Sequence, residues 1–189
     1  MSHDQFFADN LANWNDRVPI HAGPGGYGID EFASDPELLS PVVAFDKDQL
    51  GDVSGRTLLH LQCHIGMDTL SWARLGAVVT GVDFSGPALE VARRLASDLG
   101  VDAEFIESNL YESPTVLSRQ FDLVYTSVGA VTWLPDIRGW AAVAAALTKP
   151  GGTFYVRDGH PMLWATDTDR DDGLLVIRYP YFEQSEPLT

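Results

Sequence analysis

The sequence predicts an α/β fold, a doubly wound and mostly parallel sheet of at least five strands, from three observations. Short apolar runs of β type recur along the chain and begin 20 to 30 residues apart, about the length of a strand plus a crossover helix. The runs lack strict apolar–polar alternation, as expected of strands that helices cover on both faces. A helical pattern lies between successive runs. The predicted strands are Thr57–Leu61, Val78–Val82, Ala103–Ile106, Leu123–Thr126 and Thr153–Val156.

Four helical patterns connect these runs, and glycine or proline marks several of their ends. Gly76 and Gly100 follow the first two patterns and can adopt the left-handed conformation that ends a helix. Pro87 lies in the first turn of the second pattern, where proline is tolerated. The run Lys149-Pro150-Gly151-Gly152 is expected to separate the last helix from the last strand. The predicted helices are Thr69–Leu75, Ser85–Leu99, Pro114–Arg119 and Asp136–Leu147.

The segments on either side of this core differ from it. Residues 1–56 contain several aromatic residues, a glycine-rich loop and a predicted helix at Pro36–Leu50. Residues 161–189 offer one β-type run, Leu174–Phe182, in which Pro180 favours an edge strand. The chain is therefore expected to have three parts.

The chain is acidic and contains one cysteine. Its 189 residues carry 27 Asp and Glu against 12 Lys and Arg, which gives a formal net charge of −15. Such a surface repels phosphate groups, so neither nucleic acid nor an anionic membrane is expected as a partner. Cys63 alone cannot form an intrachain disulfide or a cysteine-based zinc site. No apolar run approaches the ~20 residues of a membrane span, and a cytoplasmic location is expected.

Polar residues follow the first two predicted strands, where ligands bind in open α/β sheets. The first strand continues as Gln62-Cys63-His64-Ile65-Gly66, and the second ends in Gly81-Val82-Asp83-Phe84-Ser85. Asp83 is placed to accept hydrogen bonds from a ribose diol, and backbone amides after the first strand face the same cleft. The alternative role for Asp83 is to cap the following helix.

The order of these motifs resembles the class I S-adenosylmethionine-dependent methyltransferases over residues 36–160. The resemblance rests on Leu58–Leu75, Gly81–Ser85, Glu107-Ser108-Asn109-Leu110, Phe121-Asp122-Leu123-Val124-Tyr125 and Leu147-Thr148-Lys149-Pro150-Gly151-Gly152. It implies a Rossmann-like sheet of seven strands, so the C-terminal strands are expected to be missing and the chain to be a fragment. It also implies the cofactor S-adenosylmethionine (SAM), the product S-adenosylhomocysteine (SAH), and methyl transfer to a small-molecule acceptor.

The resemblance assigns cofactor contacts to individual residues. It matches Asp83 to the acid that binds the ribose hydroxyls and Phe84 to the residue on the adenine face. It matches Asn109 to the group facing the adenine amino group, whose proton a carboxamide oxygen can accept, and Leu110 to a backbone amide beside the ring. The remaining contacts would come from the first turn and from the end of the fourth strand, near the methyl donor, at Gln62, Cys63, His64, Gly66, Thr126, Ser127 and Val128.

The first motif departs from the family pattern. Members usually show Asp/Glu-x-Gly-x-Gly-x-Gly, where this chain has His60, Gln62, His64 and Gly66. Loss of the acid puts the usual contact near the methionine amino group in doubt, or passes it to another residue. A noncatalytic SAM- or SAH-binding or scaffold module therefore remains an alternative. An NAD-dependent oxidoreductase has less support, because the first turn lacks Gly-x-Gly-x-x-Gly and no Tyr-x-x-x-Lys pair occurs.

Two groups outside the cofactor motifs are also candidates. His160 follows the last predicted strand and is the candidate general base, the alternative being a histidine at the rim that bonds to backbone. Trp14, Arg17 and Tyr27, with His21, lie before the first strand, where many members carry a lid. Arg17 would then meet the methionine carboxylate, whereas ordinary surface packing of an N-terminal helix is the other explanation.

The chain is expected to divide into three parts and to bind no metal. Residues 1–56 are expected to form an N-terminal helical lid or cap, residues 57–160 the cofactor-binding core, and residues 161–189 the start of a substrate-side or edge-strand segment. His60, Cys63, His64 and Asp68 together raise the possibility of a metal site. The two histidines are four residues apart, but they lie on a strand end and in a loop rather than on one helical face, and no second histidine pair supports them. No metal site is therefore expected.

Overall fold

The computed structural model describes residues 3–182 and contains one parallel sheet within them. The strands are β1 (Thr57–Leu61), β2 (Val78–Asp83), β3 (Ala103–Glu107), β4 (Phe121–Thr126) and β5 (Thr148–Val156). They lie in the order β3-β2-β1-β4-β5, and every neighbouring pair is parallel. The first strand is therefore central, the next two extend the sheet to one edge, and the last two extend it to the other edge, as in a doubly wound fold. The predicted fold class is confirmed.

The helices follow the predicted pattern in the core and extend it at both flanks. Ser85 and Asp136, each predicted as the first residue of a helix, are N-caps whose side chains accept backbone N–H groups. Gly100 ends its helix in the left-handed conformation. The helices are α1 (His3–Ala22), α2 (Ile29–Ser34), α3 (Pro41–Leu50), α4 (Met67–Arg74), α5 (Gly86–Leu99), α6 (Ser113–Leu117), α7 (Ile137–Leu147) and α8 (Pro161–Ala165).

Helices cover both faces of the sheet, which explains the continuous apolar runs of the strands. Leu58 and Leu123 pack with Val43 of α3 and Trp72 of α4 on one face. Residues of β1, β2 and β4 pack on the other face against α7, around Trp140. A third cluster joins α1, α2, α4 and α5 beside β3. Burial on both faces removes the selection for alternating polar residues.

Two predicted boundaries are wrong, and both concern proline. The helix expected over Pro36–Leu50 begins only at Pro41, because the Ser40 side chain accepts the Val43 N–H and caps the helix there. The run Lys149-Pro150-Gly151-Gly152, expected as a break, lies within β5. It is accommodated by a shift in the pairing between β4 and β5, and a strand at the sheet edge tolerates proline.

The expected edge strand at Leu174–Phe182 does not form. Within the part of the chain that is described, this run makes one antiparallel bridge, between Ile177 and Thr166, and joins no strand of the sheet. Leu175 and Phe182 are largely exposed, so the run lacks an apolar partner that would fix it as a strand. The last residues of the expected third part, 183–189, lie outside the described residues.

The longest helix, α1, lies across the carboxyl edge of the sheet. Asn10 Nδ2 donates to the carbonyl of Trp133, in the segment after β4, over 2.9 Å. Asn15 Oδ1 accepts from the Ser85 hydroxyl, after β2, at 2.7 Å. These two contacts place α1 over the loops where a site is expected. Neither α1 nor any other helix of residues 3–182 is long and apolar enough to cross a membrane.

Candidate functional site

A cavity of about 520 Å³ opens at the carboxyl edge, between the loops that follow β1 to β4 and the N-terminal segment. Phe7, Asn10 and Trp14 of α1 form one wall, opposite the first turn after β1. The predicted cofactor residues therefore converge on a single space. Those that line it are Gln62, Cys63, His64, Gly66, Asp83, Phe84, Asn109, Leu110, Ser127 and Val128.

The turn after β1 keeps a glycine-like backbone although two of its expected glycines are replaced. Gln62 and His64 have φ of 60° and 49°, in the left-handed region that L-residues with a Cβ seldom adopt. Gly66 has φ of 78°, and a Cβ there would lie 2.7 Å from the Cβ of Ala92. The first two positions therefore accept side chains under backbone strain, whereas the third has no room for one.

His60, at the position of the family's usual acid, is a buried structural residue. Its Nδ1 lies 2.8 Å from Thr69 Oγ1 and its Nε2 lies 3.3 Å from Ser127 Oγ. Burial lowers the pKa of His60 to about 3, so the ring is neutral at physiological pH. The ring thus joins β1 to α4 and to the end of β4, but it supplies no negative charge.

Asp83 lies at the end of β2 with its carboxylate in the cavity wall. One oxygen accepts the His64 N–H at 2.8 Å, and the other accepts the Ser85 N–H at 2.9 Å. Asp83 is 6% exposed, and this burial raises its pKa to about 6 in spite of the hydrogen bonds from backbone amides, to which Phe84 also contributes. A carboxylate offers about four acceptor positions. Acceptor capacity for a ligand hydroxyl therefore remains after these backbone bonds are made.

The end of β3 provides the residues assigned to adenine. Asn109 Oδ1 accepts the Tyr111 N–H at 3.1 Å and caps a short 3-10 turn over Leu110–Glu112. That oxygen keeps a second lone pair, which is still available for the expected hydrogen bond from the adenine amino group. The Ser108 N–H donates to the Asp83 carbonyl at 2.9 Å, so the β2 and β3 ends are tied together.

The end of β4 divides the three residues predicted there. Ser127 and Val128 line the cavity, whereas Thr126 is fully buried and is absent from the cavity wall. A direct contact between Thr126 and the cofactor stays a prediction. Asp158 holds the following loop, since its carboxylate accepts the N–H groups of Gly129 at 3.1 Å and Val131 at 2.9 Å.

Of the three predicted lid residues, two line the cavity and one does not. Trp14 and Tyr27 line the cavity, and the Trp14 ring meets the His64 ring edge-on with 5.0 Å between centroids. Arg17 is outside the cavity wall, and its guanidinium lies over the rings of Trp14 and Trp133 at 5.7 and 5.5 Å. Cation–π packing therefore accounts for the position of Arg17. A contact between Arg17 and a methionine carboxylate stays a prediction.

His160 is exposed and lies outside the cavity. Its Nδ1 accepts the Met162 N–H at 3.2 Å and caps α8. This position matches the alternative given for it, a rim histidine bonded to backbone, and a general-base role stays a prediction. His60 and His64 join no metal cluster, since the described residues contain no group of three metal-ligating side chains.

The comparison with protein families matches residues 58–152 to the model described as a methyltransferase domain. That region contains every predicted cofactor residue and all five strands, apart from the first residue of β1 and the last four residues of β5. This chain belongs to the methyltransferase domain family.

Individual members of this methyltransferase family resemble parts of the chain. The ubiquinone biosynthesis O-methyltransferase of Salmonella arizonae is 32% identical over 108 residues, which cover 57% of this chain and 44% of that protein. The chain thus matches less than half the length of that relative. A structure from work on the conversion of a disulfide bond into a thioacetal group during echinomycin biosynthesis has a TM-score of 0.58 at 27% identity, over 75% of this chain and 58% of that one. The SAM-dependent methyltransferase of Thiobacillus denitrificans, in complex with SAH, has a TM-score of 0.53 at 26% identity, over 68% and 54%.

One acidic residue of the cavity wall is not among the predicted cofactor residues. Asp68, in the first turn of α4, lines the same space as Asp83. The sequence shows an acid two residues after Gly66, but it does not show whether the side chain turns toward the cavity or toward solvent. The spacing of apolar residues in α4 does not predict the side-chain direction of Asp68, because the backbone of the preceding turn determines how the helix begins.

Proposed function

We propose that this chain is a SAM-dependent methyltransferase that acts on a small-molecule acceptor. The observation that carries the proposal is the charge of the cavity: Asp68 and Asp83 line it, and no Lys or Arg occurs among the described residues of its wall. A sulfonium cofactor is a cation, and carboxylates in an apolar cavity favour it. A dinucleotide would bring a negatively charged diphosphate to the same wall and would be disfavoured.

The order of the strands supports one orientation of SAM. Asn109 and Phe84 follow β3 and β2, whereas Gln62 and Ser127 follow β1 and β4. If Asp83 binds the ribose, then adenine lies toward β3 and the amino-acid end lies toward β1 and β4. The residues fit this arrangement, because Asp83 retains free acceptor positions and Gly66 provides a turn without a Cβ.

The reaction would require mainly alignment from the protein. Bound SAM supplies a methyl group already activated by the positive sulfur. The N-terminal segment would exclude water through Trp14 and Tyr27, and the residues after β4 would face the methyl end. We propose that residues 1–56 act as the lid, that residues 57–160 bind the cofactor, and that residues 161–189 begin the substrate side.

The charge and the cysteine content support two further parts of the proposal. A net charge of −15 favours a small neutral or cationic acceptor over nucleic acid or an anionic membrane surface. Cys63 is buried and burial raises its pKa, which keeps the thiol protonated and unreactive. A protein with one inert cysteine suits the reducing cytoplasm, which is the location we propose.

A noncatalytic SAM-binding module is the second candidate, and a neutral His60 where the family has an acid favours it. The two functions, and the less supported oxidoreductase, differ in ligand response. Thermal unfolding with SAM, SAH, NAD or NADP should show stabilisation by the first two alone, about 2.7 kcal/mol at 100 times the dissociation constant. Stabilisation by NAD instead would refute the proposal. Binding of SAM with no turnover across a panel of phenols, amines and thiols would favour the noncatalytic module.

A further inference from the structure

Asp68 is a carboxylate that the established motifs leave without a role. Asp68 lies two residues after Gly66, in the first turn of α4, and it lines the cavity. Burial raises the pKa of Asp68, while the hydroxyls of Ser40 and Ser127 and the more distant Arg157 oppose that shift. An ionised carboxylate in such a place is costly unless a positive group pairs with it.

The cavity wall offers no such partner. The remaining charged side chain in its described lining is Asp83, which lies at the end of β2 and is held there by two backbone amides. Arg157, which acts on Asp68 electrostatically, bonds instead to the buried carboxylate of Asp46 at 2.5 Å. The described lining thus leaves Asp68 without a positive partner, a place that a cationic group of a ligand can fill.

Gln62 presents a second incomplete group at this end of the cavity. Its Nε2 donates to the Ala130 carbonyl at 3.3 Å, which fixes the carboxamide. Its Oε1 is buried and has no hydrogen-bond partner among the described residues. A buried acceptor without a donor costs about 1–3 kcal/mol, so a donor on the ligand would remove that penalty.

The position of Asp68 along the sheet edge decides which ligand group it meets. Gln62 follows β1, and Ser127, whose hydroxyl is adjacent to Asp68, follows β4. Both strands lie beyond β2 on the side away from β3. With the ribose on Asp83 and adenine toward β3, the group at Asp68 belongs to the amino-acid end of the cofactor.

We propose that Asp68 binds the ammonium group of SAM and SAH, with Gln62 Oε1 as a second acceptor of its protons. The inference rests on the proposed function, because it takes SAM as the cofactor. It explains how the site works with a neutral His60: the negative charge absent from the end of β1 is supplied from the first turn of α4. Asp68 is then a binding residue that sets the position of the sulfonium.

The test compares SAH with 5′-methylthioadenosine, which has the adenosine and sulfur of SAH but lacks its amino-acid end. Trp14 and Trp133 line the cavity, so quenching of intrinsic fluorescence can report binding of either ligand. Asp68→Asn keeps the shape of the side chain and one acceptor oxygen, and it removes the charge. The variant is expected to bind SAH about 10- to 100-fold more weakly and to bind 5′-methylthioadenosine as the wild type does.

Asp83→Asn is the matched control, since it should weaken both ligands by similar factors. Equal SAH affinity in Asp68→Asn and wild type would overturn the inference while leaving the proposed function intact. Absence of SAM and SAH binding in the wild type would instead overturn the proposed function. If Asp68→Asn does not unfold cooperatively, wild-type affinities for SAH and for its analogue lacking the amino group decide, and equal values would refute the ammonium contact.

Discussion

His21 Nδ1 lies 2.9 Å from His64 Nε2, so the C-terminal end of α1 is hydrogen-bonded to the turn that follows β1. The His21 ring also stacks on Tyr27, with centroids 4.4 Å apart. Burial lowers the pKa of both histidines, that of His64 to about 4, so one neutral ring donates to the other near pH 7. The N-terminal segment is thereby attached to the cofactor turn itself.

This contact predicts that cofactor binding protects the lid. Amides of residues 10–30 are expected to exchange more slowly with SAH, by up to about 100-fold at 100 times the dissociation constant, if their exchange requires opening of the bound state. Hydrogen exchange with mass spectrometry measures the effect, with α7 on the far face of the sheet as the internal reference. His21→Ala should reduce the added protection, and an identical pattern with and without SAH would indicate simple packing.

A second prediction concerns Asp83, whose carboxylate serves two purposes. Asp83→Ala is expected to weaken SAH binding about 10- to 100-fold, because a hydrogen bond to a charged group contributes about 1.5–3 kcal/mol. It should also lower the free energy of unfolding by about 1–3 kcal/mol, since the His64 and Ser85 amides lose their acceptor. Calorimetric titration and urea unfolding measure the two effects separately.

The Asp83→Asn variant separates these purposes. Its side-chain oxygen can still accept one of the two amides, so the loss of stability should be smaller than in Asp83→Ala, whereas the loss of affinity should persist. If Asp83 only capped the following helix, its contribution to stability would be small. The bond from His64 N–H changes that expectation, because it joins two loops that are distant in sequence. SAH affinity unchanged in both variants would remove Asp83 from the cofactor site.

A third prediction follows from the buried His60. The unfolded chain takes up a proton at this residue as pH falls below 6.5, whereas the folded protein resists protonation until about pH 3. The lowered pKa therefore destabilises the folded state as pH falls through this interval, by about 1.4 kcal/mol per pH unit. Relative to His60→Gln, which does not titrate, the wild type should lose about 1 kcal/mol between pH 7 and pH 5.5.

Chemical unfolding of both proteins at the two pH values provides the comparison. Other groups with shifted pKa, including His64 and Asp83, contribute equally to both proteins and cancel in the difference. A stability difference that is independent of pH would mean that His60 is protonated or exposed in the folded protein.

The sequence was sufficient for the core of the fold because local signals and tertiary packing agree there. The spacing of apolar runs and the stop at Gly100 identify β1 to β3 and α5 within a residue or two. Local signals and tertiary packing disagree where pairing between strands determines the secondary structure. Lys149-Pro150-Gly151-Gly152 has the composition of a loop, yet β4 provides a partner for Thr148 and shifts register to include the run in β5.

In the candidate site, too, some residue positions could be predicted from the sequence and others could not. Asp83 was predictable because topology alone places the end of β2 in the cleft. Whether Asp68, Arg17 and Thr126 reach the cavity wall could not be predicted in this way, because it depends on side-chain direction. The Arg17 guanidinium lies over two tryptophan rings, and Thr126 is fully buried. Patterns of spacing carry little information about such contacts, which involve residues far apart in the chain.

The fourth prediction tests the one glycine that the first turn retains. Gly66 and Gly100 both have left-handed backbones, with φ of 78° and 64°, so alanine is strained at either position. A Cβ at Gly66 would lie 2.7 Å from the Cβ of Ala92 and 2.9 Å from the Phe105 ring, whereas one at Gly100 meets nothing within 4 Å. Gly66→Ala should therefore cost about 1–3 kcal/mol more than Gly100→Ala, the difference being overpacking between α5 and β3.

The same pair of variants links the turn to ligand binding. In Gly66→Ala, relief of the clash requires the turn to move away from α5, and His64 N–H would move relative to Asp83. SAH affinity should fall in Gly66→Ala and stay unchanged in Gly100→Ala, which lies outside the cavity wall. Thermal unfolding with and without saturating SAH measures both quantities in one experiment. Equal destabilisation of the two variants would show that the turn has room for a Cβ at Gly66. Steric crowding would then not explain why this position is glycine, whereas Gln62 and His64 occupy the other two glycine positions of the motif.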